Sequence, residues 1–143
     1  MTQVNDLELA KTELLTGDYA LVIVKDGEVL FASKENSIGP IYQAVRQFGK
    51  TLEGASAADK VVGKAAALFC KTVGIKAVFA RLISETAVEI LTAAGIELEF
   101  DKSCPYILNR TRDGMCPIER LALDVDDGMA LLEKVGRFLG DIR

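Results

Sequence analysis

Residues 75–100, IKAVFARLISETAVEILTAAGIELEF, carry the reading of the fold. Residues 75–82 are a mostly apolar run of strand length. Ser84 then caps a helix, on which Ala87, Val88, Ile90, Leu91 and Ala94 face inward. Gly95 stops that helix, and residues 96–100 form the next strand. Strand, helix, glycine and strand in this rhythm make a βαβ unit, whose two strands run parallel.

Upstream, residues 19–24 (YALVIV) and 28–33 (EVLFAS) read as two strands joined through Lys25-Asp26-Gly27. The glycine supplies the positive φ that a tight hairpin needs. Residues 5–15 suit a first helix, capped by Asn5 or Thr2. Gly39-Pro40 opens a helix to Phe48, because proline in a first turn sacrifices no hydrogen bond. Residues 56–73 are expected to form one central helix. Ser56 would cap it, with Asp59 as a weak capping box. Gly63 and Ala65–Ala67 would keep it slim, and Gly74 would end it.

Downstream, residues 101–115 are the least regular segment. Tyr106–Leu108 is a candidate edge strand, and Asn109–Gly114 a polar turn. Cys116-Pro117 opens a short helix to about Leu123, and Asp126 or Asp127 caps the last helix. The expectation is one α/β domain over residues 1–143, with a mixed central sheet.

Composition narrows the chemistry. Half of the 143 residues are apolar, enough for one core without staples. The net charge of -4 is spread out, and no basic stripe marks nucleic acid as a partner. No stretch approaches the roughly 18 apolar residues of a membrane helix. Three cysteines in a chain without a leader pattern point to free thiols in a reducing cytoplasm. There is no histidine, so no imidazole serves as base, proton shuttle or metal ligand. No phosphate-binding glycine loop, dinucleotide fingerprint or nucleophile elbow occurs, and no cofactor is expected.

Several polar positions remain as candidates. Cys116 stands before Pro117 at a helix start, where N–H groups favour an anion. It reads either as a nucleophile, with Glu119 or Lys60 handling the proton, or as a structural cap to which Glu119 bonds back. Asp59, Lys60 and Lys64 fall at the start of the expected central helix, with the two lysines one turn apart. They could hold a carboxylate or phosphate, or form a solvated edge. Ser84 and Glu85 mark another helix start. Arg110 and Arg112 sit in the polar turn, where arginine forks could close over an anion. Cys104 and Cys116 are twelve positions apart, a spacing that fits neither a redox pair nor a zinc knuckle. Cys70 reads as a small core residue.

The residues Asp59-Lys60-Val61-Val62-Gly63-Lys64-Ala65-Ala66-Ala67, Ser84-Glu85 and Cys116-Pro117-Ile118-Glu119 carry a resemblance over nearly the whole chain. It resembles the bacterial and archaeal domain-of-unknown-function 1893 family, placed with the cytidine deaminase fold. The resemblance implies a three-layer sandwich and a homodimer, and it implies no activity. True deaminases carry histidine or cysteine, alanine and glutamate at the start of the central helix. This chain is matched there by Ala58-Asp59-Lys60. Their second motif, proline, cysteine, two residues and cysteine, is matched by Ile83-Ser84-Glu85-Thr86-Ala87. The zinc ligands are missing from both, so no metal is expected. Two readings of function follow. In one, a small anionic or nucleotide-like ligand binds at the helix starts. In the other, the domain is structural or an interaction module.

Overall fold

The computed structural model describes residues 5–109, 111 and 114–141. Helix α1 (Asp6–Thr16) precedes strands β1 (Leu21–Lys25) and β2 (Glu28–Ser33). Helix α2 (Gly39–Phe48) and a short 3-10 turn lead to strand β3 (Ser56–Val62). Helix α3 (Lys64–Val73), strand β4 (Ala77–Ser84), helix α4 (Glu85–Ala93) and strand β5 (Glu97–Cys104) follow. Helices α5 (Pro117–Ala122) and α6 (Gly128–Phe138) complete the order.

The five strands form one mixed sheet in the order β2-β1-β3-β4-β5. β1 is antiparallel to both β2 and β3, whereas β3, β4 and β5 run parallel. The α/β fold with a mixed sheet, and the βαβ unit β4–α4–β5, are as expected from the chain.

The hairpin turn has the form its residues demand. Asp26 and Gly27 both have positive φ, 52° and 80°, the backbone of a twist-matched two-residue turn. Asp6 fastens α1 to this turn, accepting hydrogen bonds from Asp26 N at 3.0 Å and Gly27 N at 2.9 Å. Asn5 caps α1, Ser84 caps α4 and Asp127 caps α6, each accepting backbone N–H groups of the first turn.

One expectation fails. Residues 56–73 are not one helix: β3 occupies 56–62, and the helix begins only after Gly63. Ser56 therefore caps nothing. It starts a strand, fully buried, and its Oγ has no hydrogen-bond partner among the described residues. The reason is tertiary. β3 is the middle strand, and Ala57 and Ala58 face the two opposite apolar cores. Small side chains let helices approach from both sides. That packing overrides the helix preference of alanine.

Helices cover both faces of the sheet. On one, Leu7, Ala10 and Leu14 of α1 meet Val22, Val24, Ala58 and Phe79. The larger core, on the other, joins α2, α3, α4 and α6 to Leu21, Ile23, Val78 and Ile83. Burying each such leucine, isoleucine or phenylalanine contributes about 1.5–3 kcal/mol. Among the described residues, no helix is long and apolar enough to cross a membrane.

Candidate functional site

Three chain segments meet at one end of the strands. β2 ends there and leads through Glu35-Asn36-Ser37 into α2. β1 begins there, with Leu21 paired to Asp59. β3 ends there and leads through Gly63 into α3. α2 and α3 thus start side by side beyond the strand ends, in the type of crevice where α/β sheets place ligands. A cleft of about 750 Å³ lies between them.

Its walls are mostly apolar. Ile38 precedes α2 and Ile41 lies in its first turn, Ala65 and Ala66 come from α3, and Phe138 and Leu139 from the end of α6. A short bridged turn closes another side: Leu108 pairs with Met115, and Cys116 N donates to Ile107 O at 2.8 Å. Pro117, Ile118 and Glu119 continue that wall.

Asp59 and Lys60 reach the cleft from β3, not from a helix start. The Asp59 carboxylate accepts the Val61 N–H at 3.1 Å. Its desolvation among the apolar walls pushes its pKa up to about 7, against the pull of the Val61 and Lys60 N–H groups. Lys60 turns its ammonium to Asp18, at 3.0 Å.

Glu119 occupies the most distinctive place. It is 7% exposed and lines the cleft. Its carboxylate lies beside the first N–H groups of α3, those of Lys64 and Ala65, which favour its charged form. Burial raises its pKa, and those N–H groups oppose the shift. Gly63 makes the approach possible, because a Cβ there would collide with the Glu119 carboxylate, 2.6 Å from Cδ. The expected bond from Glu119 back to the start of its own helix is not made, because the Cys116 N–H donates to Ile107 O instead.

The other candidates separate. Lys64 points away from the cleft, with Nζ 3.2 Å from Leu123 O and 3.1 Å from Asp126 Oδ1. Lys60 and Lys64 do not form a clamp, because the break at Gly63 removes their helical spacing. Ser84 is fully buried as the cap of α4, accepting Ala87 N at 3.2 Å, and Glu85 is exposed beside it. Neither lines the cleft. Arg110 and Arg112 lie outside the described residues. Cys116 is half-buried in the cleft wall and makes no cap hydrogen bond. Glu35, Asn36 and Ser37 line the cleft without having been candidates; the only sequence signal was their position just before Gly39-Pro40.

The zinc implied by the deaminase resemblance does not fit. The two helix starts that face each other read Asn36-Ser37-Ile38-Gly39-Pro40 and Gly63-Lys64-Ala65-Ala66-Ala67, with no cysteine or histidine. The stretch Ala58-Asp59-Lys60 lies on strand β3 and not at a helix start. Among the described residues, no group of three or more His, Cys, Asp or Glu could hold a metal ion.

Residues 9–139 match the family TM1506, a domain of unknown function (DUF1893). The chain belongs to the DUF1893 family. The crystal structure of the DUF1893 family protein TM1506 from Thermotoga maritima is similar, at TM-score 0.86 and 29% identity over 96% of this chain and 92% of that one. RibD of Acinetobacter baumannii, form 2, shares the fold at TM-score 0.52 and 21% identity. That likeness covers 67% of this chain and 35% of RibD. A search of curated proteins finds no match.

Proposed function

We propose that this DUF1893 domain is a small-molecule-binding domain on a deaminase-like scaffold that has lost the zinc chemistry. The observation that carries the reading is the cleft itself. It is open, encloses about 750 Å³, and places the Asp59 carboxylate among apolar walls between two helix starts. That volume lies within the roughly 300–1,000 Å³ of small-molecule sites, which are mainly apolar with a few placed polar groups. A purely structural domain has no need of such a cleft and would gain by filling it. The helix and strand order supports the scaffold assignment, as does the fold likeness to RibD.

Cys116 and Asp59 line the same cleft, so a bound ligand would lie near the thiol. The function proposed is binding. Amide NMR of the protein titrated with a small-molecule extract of its own host tests it. Shifts centred on Val61, Ala65 and Ile118 are expected. Shifts scattered over the surface, or none, would contradict the reading.

A further inference from the structure

If the cleft binds a small molecule, its charges select the kind. Among the described residues, the lining carries the carboxylates of Glu35, Asp59 and Glu119 against one ammonium, that of Lys60. Lys60 is already answered by Asp18, outside the lining. A helix start would ordinarily attract an anion. Here the Glu119 carboxylate stands at the first N–H groups of α3. At the start of α2, Glu35 lies so close that a Cβ on Gly39 would stand 2.8 Å from its Oε2. A carboxylate of the protein thus stands at each helix start in the cleft, and at α2 the Gly39 N–H is already accepted by Ser37 Oγ at 3.0 Å.

An anionic ligand would bring its charge beside the three carboxylates of the lining. A cation would restore a partner to Asp59, whose carboxylate is held in place by the Val61 N–H at 3.1 Å. Ile38, Ile41, Ile107 and Ile118 offer contact to an apolar body. We propose that the ligand is a small organic cation, an ammonium group on an apolar body, with Asp59 as its counter-ion. The assignment rests on the cleft being a ligand site. An ammonium has three donors to share among the carboxylates and no acceptor to be left unmatched.

Three probes with the same ring test it: 2-phenylethylamine, 2-phenylethanol and 3-phenylpropionate, each titrated against the full chain by amide NMR. The amine is expected to bind about tenfold tighter than the alcohol, about 1.4 kcal/mol, and the propionate weakest. Asp59→Asn, which keeps the acceptor for Val61 N–H, is expected to erase the preference for amine over alcohol while leaving alcohol binding unchanged. Glu35→Gln is expected to weaken the amine alone. Propionate binding as tightly as the amine, or an unchanged preference in Asp59→Asn, would overturn the cation assignment and leave the cleft as a site. If no probe shifts the cleft amides even at about 10 mM, where millimolar affinity would show, the ligand site itself is overturned.

Discussion

The Glu119 carboxylate fills the space that a side chain at Gly63 would need, and it stands at the start of α3 from another helix. Glycine is needed here for close approach and not for backbone freedom, since its φ of -102° suits any residue. Gly63→Ala is expected to destabilise by about 1–3 kcal/mol, by expelling Glu119 from its place at the start of α3. Glu119→Ala should cost about as much. The double variant should cost less than the sum by about 1 kcal/mol or more, because both changes break one contact. Urea unfolding of the four proteins measures this. Strict additivity would mean that the two residues do not share the space described.

Asp59 makes stability depend on pH in a definite sense. Its pKa rises from an ordinary 3.8 to about 7 on folding, so the folded state holds a proton that the unfolded state has released. Stability falls as pH rises from about 4 to about 7, and the penalty is fully present above that. Glu119 is also raised and contributes with the same sign. Asp59→Asn should therefore exceed the parent in stability at pH 8 and lose that advantage near pH 4. Parallel stability profiles for the two proteins would refute the assignment.

Ser56 buries a hydroxyl with no partner among the described residues. Its desolvation is uncompensated, so Ser56→Ala should be neutral or stabilising by up to about 1 kcal/mol. Thermal unfolding reads the change directly. A loss of stability beyond that of a small cavity would reveal a partner for the hydroxyl.

The three thiols should separate by reactivity. Cys70 is 4% exposed, and burial pushes its pKa up to about 12, with the Asp59 charge adding to the shift. Iodoacetamide at pH 8 should leave it unmodified until the chain unfolds, because only thiolate reacts. Cys116 is half-buried in the cleft wall, so it should label in the native state. Peptide mass spectrometry distinguishes the sites. Native labelling of Cys70 at the rate of Cys116 would contradict the placement of α3.

Local signals made much of this fold legible. The hairpin rests on Asp26-Gly27, the helix starts on Asn5, Ser84 and Asp127, and the βαβ unit on the run from Ile75 to Phe100. β3 escaped because Ser56-Ala57-Ala58 lacks the branched residues of ordinary strands, and its partners lie far away in the chain. Val61-Val62-Gly63 was the available clue to a strand followed by a break. That one error moved Lys64 onto the face of Lys60 and hid the linker Glu35–Ser37, which only folding brings beside Asp59. The place of Glu119 was equally invisible, because it lies against a helix start more than fifty residues earlier.

The central claim is that the cleft between the starts of α2 and α3 holds a small molecule. Native mass spectrometry of the protein purified from its own host tests it most directly, run beside a Val61→Trp variant that places an indole in the cleft from an exposed strand position. The account predicts one additional small-molecule mass on the parent, lost from the folded variant. A parent protein carrying no added mass, or a mass retained equally by Val61→Trp, would contradict it.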